Sequence, residues 1–181
     1  AANGVFDALV LAFLLVVKVM FIFLQSLRNS IIIMLVVPLS LISTLSVMYL
    51  LGYTYNLMSL LGLTLAVGTL VDDAIVVIEN VFRHLEMGKN RIQAAYDATK
   101  ELGLTLVATT MTLVMVFIPI TLVGGLVTSL LTQFAMTIAI AVIFSTIVAF
   151  TVVPLLSSRV AKIEDFSSNP VLKTIIEVFD R

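Results

Sequence analysis

The residues best placed to do chemistry in this chain are two adjacent carboxylates, Asp72 and Asp73, in the stretch GTLVDDAIVVIEN from Gly68 to Asn80. They lie inside a run that is otherwise largely apolar from Leu57 to Ile78. A helix needs about 20 apolar residues to cross a bilayer core. An aspartate at the centre of such a helix costs about 2.5–3.5 kcal/mol on insertion scales, so two side by side point to a task. Scarce water favours the neutral form of a carboxylate, a second anion favours it further, and a nearby cation opposes both. A pair balanced in this way can take up and release a proton in the physiological range, titrating as one coupled unit. Proton binding would then switch helix packing between two states. The plainer alternative is a structural pair hydrogen-bonded to neighbouring helices, and a hard cation such as Na⁺ also suits carboxylates and hydroxyls. An aspartyl protease fits poorly, because its dyad shares a proton across one site, whereas adjacent residues on a helix diverge by about 100°.

Composition sets the frame around this pair. The 181 residues are 61% hydrophobic and 12% charged, against about 45–50% and about 25% in soluble domains. The expected class is an all-α membrane protein, a five-helix transmembrane bundle. The net charge of -1 offers no basic field for nucleic acid. With no cysteine there is no disulfide or thiolate metal site, and the lone His84 cannot build a metal site by itself. No serine–histidine pair or phosphate loop stands out, no cofactor is expected, and the coupling ion would be the proton. The chain opens at Ala1 without Met, and the sequence reads as a segment of a longer polypeptide.

The elements that must position the carboxylates follow from the apolar runs. Residues 1–4 read as the end of an outer region, and the spans fall at 5–24, 30–51, 57–79, 103–123 and 131–156. Lys18 in span 1 is either a charge partner in the membrane or a snorkelling lysine, since it lies about 10 Å of helix from Gln25. Pro38 kinks span 2, where Ser40, Ser43 and Thr44 could satisfy the freed carbonyls. Gly62, Ala66 and Gly68 thin the surface of span 3 for close packing. Asn80 lies on the face of Asp73, and Glu79 on that of Asp72.

The connection 80–102 contains Asn90 and Gln93, which fit a capping box. Ile92, Ala95, Tyr96 and Thr99 then recur at helical spacing, as in a short amphipathic helix on the membrane surface or on its own bundle. Thr105, Thr109 and Thr112 form a stripe on span 4, either supporting the carboxylates or bonded back to their own turns. Thr137, Ala141, Ser145 and Ala149 form a small-residue stripe on span 5, a packing face. The tail 157–181 carries an Asn169–Pro170 helix start with Leu172, Ile175, Ile176 and Phe179 at helical spacing. Nine of the ten Lys and Arg fall in alternate connections: Arg28; Arg83, Lys89, Arg91 and Lys100; Arg159, Lys162, Lys173 and Arg181. The positive-inside rule places the 80–102 loop and the tail in the cytoplasm.

Several motifs together carry a family resemblance. They are FLQSLRNS after span 1, Pro38 in span 2, VDDAIVVIEN, the Phe117–Pro119 FIP, the Gly124–Gly125 turn, Gln133–Phe134–Ala135 and VVPLLSSR. From about Val5 to Lys162 the chain resembles the resistance-nodulation-division efflux pumps, in the hydrophobe/amphiphile branch of acriflavine-resistance type. The matching piece is the second to sixth transmembrane helices of the family's N-terminal half. The resemblance implies a proton antiporter of the bacterial inner membrane that works as a homotrimer. In Gram-negative cells it implies a periplasmic adaptor and an outer-membrane channel as partners. It also implies that drugs bind in periplasmic domains and that Asp72 and Asp73 are the proton-relay pair. The family's relay lysine and arginine belong to a C-terminal half that this sequence does not contain, and Lys18 does not take that role. The segment alone is therefore expected not to pump, and to form a loose bundle. A heavy-metal substrate fits less well. The competing readings are a relative that exports proteins or lipids, and a sterol-sensing-like regulatory domain, against which the intact VDDAIVVIEN stands.

Overall fold

The computed structural model describes residues 2–24, 27–122 and 125–160. Five helices follow in order: α1 Ala2–Leu24, α2 Leu27–Leu50, α3 Leu57–Glu86, α4 Arg91–Leu122 and α5 Leu126–Val160. No strand occurs among the described residues. The helices from α2 to α5 are long and apolar enough to cross a bilayer, and α1 carries the apolar stretch Val10–Val19. The fold is thus the expected all-α membrane bundle. The expected helix start at Asn169–Pro170 lies outside the described residues.

Local sequence explains where the helices stop. Gly52 and Gly88 adopt φ of 75° and 84°, the left-handed conformation that glycine takes without a Cβ clash. After α2, the amides of Gly52 and Tyr53 donate back to the carbonyls of Tyr49 and Met48. After α3, those of Gly88 and Lys89 donate to Leu85 and His84. Both are Schellman motifs, which satisfy carbonyls left over at a helix end. Asn56 caps α3 in a reciprocal box with Ser59, and its side-chain amide also donates to Gln133 of α5. Asn90 caps α4 through the Gln93 amide at 2.9 Å. The expected box there is only half formed, because the Gln93 side chain donates to Asp97 instead.

One expectation about the connections needs correcting. α3 runs on past Glu79 to Glu86, and α4 starts at Arg91, so most of the 80–102 connection is helix. The amphipathic piece is not separate, and α4 passes through Gly103 unbroken. Ala94, Ala98, Leu106 and Thr110 are buried along its length. One continuous packing face therefore joins both parts, and it outweighs the cost of about 1 kcal/mol for an interior glycine. Ile92 and Tyr96 of the expected apolar face are exposed instead. At 32 residues, α4 is about 48 Å long, well beyond a hydrocarbon core of about 30 Å.

α3 is the central element and packs against all four other helices. Its buried residues step along one stripe in threes and fours: Ser59, Gly62, Leu63, Ala66, Val67, Leu70, Val71, Ala74, Val77, Ile78 and Val81. That stripe follows the 3.5-residue period of coiled-coil-like packing. Gly62 meets α5: a Cβ there would stand 3.1 Å from both the Phe134 carbonyl oxygen and the Thr137 Cβ. Thr137, Ala141, Ser145 and Ala149 are all buried, so that stripe is a packing face. Gly68 is different, since nothing lies within 4 Å of the place its Cβ would take. It falls on the exposed side of α3 and opens a groove rather than a helix contact. Near Pro38, Ser43 and Thr44 donate to the carbonyls of Leu39 and Ser40. They do not reach Met34, whose carbonyl the proline leaves without its usual partner.

Candidate functional site

Asp72 and Asp73 occupy the middle of α3 and point to different surroundings. Asp73 is half-buried and accepts a hydrogen bond from Thr146 Oγ1 of α5 at 2.7 Å. Thr146 Oγ1 in turn lies 2.5 Å from Thr110 Oγ1 of α4. Both threonines are buried. The hydroxyls also reach carbonyls of their own helices, Thr146 to Val142 at 3.1 Å and Thr110 to Leu106 at 2.8 Å. Asp73 is therefore tied to two neighbouring helices through a short run of hydroxyls.

Asp72 is exposed and has no hydrogen-bond or ion-pair partner among the described residues. It lines a groove of 240 Å³ between α1 and α3, together with Leu15, Val16, Val19, Gly68, Val71 and Ile75. Apart from Asp72, that lining offers only apolar side chains and a glycine. Lys18 of α1 is exposed and forms no ion pair with either carboxylate.

The threonines expected to support the pair do not reach it. Thr105, Thr109 and Thr112 are exposed. Thr109 donates to Leu106 and Thr112 to Ala108, each within its own helix. The physical reason is rotation: the face of α4 that meets α5 runs through Leu106 and Thr110, about 100° from Thr105 and Thr109. Thr110 and Thr146 were not singled out in the sequence. The available signal was weak: Thr110 is one of four threonines within one stretch of α4, and Thr146 follows the stripe residue Ser145. Ser145 donates to the Leu70 carbonyl at 2.8 Å and anchors α5 on α3 just before the acid pair.

A second polar cluster holds the far ends of α3 and α4 together. Arg83 donates to Glu101 Oε1 at 2.6 Å, and Asn80 donates to the Ala98 carbonyl at 3.1 Å. His84 is buried, with Nε2 3.0 Å from Glu101 and Nδ1 3.0 Å from Lys89 Nζ. Lysine only donates, so Nδ1 accepts, and Nε2 carries the hydrogen that Glu101 receives. Lys89 also donates to Asp97 at 2.7 Å. Hydrogen bonds from Arg83, then His84 and Asn80, hold the Glu101 carboxyl down at about 2. Those from Lys89 and Gln93 hold Asp97 below its ordinary value. Asn80, expected on the face of Asp73, thus belongs to this clamp. Glu79 lines a neighbouring groove of 480 Å³ with Asn80, Arg83 and Glu86. No cluster of metal-ligating side chains occurs among the described residues.

A helical membrane bundle with an ionisable pair at the middle of its central helix defines a class: polytopic membrane proteins with an intramembrane charged site. The sequence profile of the AcrB/AcrD/AcrF family matches residues 1–180, and the chain belongs to that family. The multidrug resistance protein MdtC of Escherichia coli O139:H28 (strain E24377A / ETEC) is 44% identical over 156 residues, 86% of this chain and 15% of that relative. The protein of the same name from Salmonella schwarzengrund (strain CVM19633) is also 44% identical over the same shares. The chain spans 15% of the length of these curated relatives.

Proposed function

We propose that these helices are the proton-coupling part of a multidrug efflux transporter, acting within a longer polypeptide of the bacterial inner membrane. The observation that carries this reading is the acid pair at the middle of α3, with Asp73 held by buried hydroxyls and Asp72 open to a groove. Membership of the AcrB/AcrD/AcrF family and the name of the MdtC relatives support efflux of drugs or similar amphiphiles. Ionised, the pair draws donors and water toward the middle of the bundle. Protonated, it loses that charge and tolerates closer apolar packing. A proton crossing with the membrane potential supplies about 2.3 kcal/mol per 100 mV, and the pair converts it into a change of helix packing.

The drug itself binds outside these helices, and the groups that compensate the acids' charge come from the remainder of the polypeptide. The working assembly is a homotrimer in lipid, joined in Gram-negative cells to a periplasmic adaptor and an outer-membrane channel. The test uses the longer transporter that carries these helices. Asp72→Asn and Asp73→Asn should each abolish drug resistance at unchanged membrane expression. Retained resistance in both variants would sink the relay. Replacing Na⁺ with choline should leave efflux unaltered, and loss of efflux in choline would assign the coupling to Na⁺ instead.

A further inference from the structure

We propose that Thr146 and Thr110 are positioning residues for Asp73, forming a hydroxyl relay whose hydrogen bonds reverse direction when that carboxylate gains or loses a proton. The inference rests on the reading of Asp73 as a proton-binding group.

Four short oxygen–oxygen contacts converge on two hydroxyls: Thr146 to Asp73 at 2.7 Å, Thr146 to Thr110 at 2.5 Å, Thr110 to the Leu106 carbonyl at 2.8 Å and Thr146 to the Val142 carbonyl at 3.1 Å. Each hydroxyl has one hydrogen to donate and two lone pairs to accept with, so the four contacts cannot all be made at once. When Asp73 is ionised, Thr146 donates to it and Thr110 donates to Thr146. When Asp73 carries a proton on Oδ2, that proton is donated to Thr146 Oγ1. Thr146 then donates to Thr110, and Thr110 donates to the Leu106 carbonyl, so the 2.5 Å contact keeps a hydrogen in both states. In both states every donor has an acceptor, and no oxygen has to travel. A hydroxyl can serve both states in this way, whereas valine at 146 serves neither and lysine only the ionised one.

The reversal links protonation to packing. In the ionised state the hydroxyls of α4 and α5 are drawn toward α3. In the neutral state the donors run the other way, from Asp73 through Thr146 and Thr110 to the Leu106 carbonyl of α4, and the charge that strengthened the ionised chain is gone. The pair is buried, where water does not compete and hydrogen bonds are stronger. Other charges at this depth are few. Asp72 adjoins Asp73 on α3, and α1 carries Lys18, with Asp7 about three turns away towards its start. α2 has no charged residue between Arg28 and Leu50, α4 none between Glu101 and Leu122, and α5 none between Leu126 and Arg159.

The experiment is an infrared pH titration of the longer transporter in detergent, following the carboxylic C=O band that Asp73→Asn removes. Thr146→Val should change the frequency of that band and displace its midpoint by about one pH unit, the scale of one hydrogen bond to a charged group. Thr110→Val should displace it less, and Thr146→Ser should restore the original titration. Should Thr146→Val not accumulate in the membrane, Thr146→Ala reads the same shift. An unchanged band and midpoint in the hydroxyl-free variant, or a shift that Ser does not restore, overturns the relay. So does the absence of any titrating band that Asp73→Asn removes. Failure of the underlying reading shows in a different measurement, drug resistance retained by Asp73→Asn, and that result overturns both.

Discussion

Asp72 and Asp73 differ by one step along α3, and that step of about 100° gives them unlike environments. Asp73 is fixed by Thr146, while Asp72 borders open space beside α1. One added methylene should therefore be felt unequally. Asp73→Glu pushes the carboxylate off the Thr146 hydroxyl and should lower efflux on the order of tenfold, the rate equivalent of losing one charge-assisted hydrogen bond. Asp72→Glu extends into the 240 Å³ groove and should retain most activity. Equal effects in a dye-efflux assay would count against this asymmetry. The acid pair itself was legible in the sequence because charge inside an apolar run is conspicuous. Its hydroxyl partners were not: choosing Thr110 over Thr105, Thr109 and Thr112 requires the rotation of α4 against α5, which tertiary packing sets and local spacing does not.

At the scale of elements, α3 is held on one side by close backbone approach and at its end by a polar clamp. Gly62 lies against the Phe134 carbonyl and Thr137, so Gly62→Leu should wedge α3 from α5. The expected loss is about 1–3 kcal/mol, the usual penalty of overpacking, read as a lower melting temperature of the solubilised transporter. Gly68→Ala meets open space and should leave that temperature unchanged or slightly higher. The clamp adds a pH dependence. Glu101 is held at about 2 against an ordinary 4.5, so its contribution is complete above 4.5 and is lost as the pH falls toward 2. The stability difference between the wild type and Glu101→Gln should accordingly close over that window. A constant difference would show that the ionised carboxylate is not what the clamp uses. A helix start such as that at Asn90 could be read from residue type, because its chemistry is local. The continuity of α4 through Gly103 could not, because a shared buried face decides it.

On the scale of the whole molecule, class and element order followed from composition and apolar periodicity, which depend on no detail of packing. Apolar side chains such as Leu14, Ile42, Leu104, Met115 and Val116 remain exposed around the bundle, as expected of surfaces that face lipid or further helices. The charge pattern predicts which ends face the cytoplasm. The segment contains no cysteine, so single substitutions report sidedness in a parent otherwise free of cysteine. Lys89→Cys should react with a membrane-impermeant maleimide only from the cytoplasmic side, and Thr54→Cys only from the opposite side. Labelling of both from one side would refute the topology. The most direct test of the proton-coupling claim is substrate-dependent proton movement in proteoliposomes containing the longer transporter. Asp72→Asn and Asp73→Asn should each show none, while the wild type releases protons as substrate moves. Undiminished proton movement in both variants would contradict the assignment of this carboxylate pair as the coupling site.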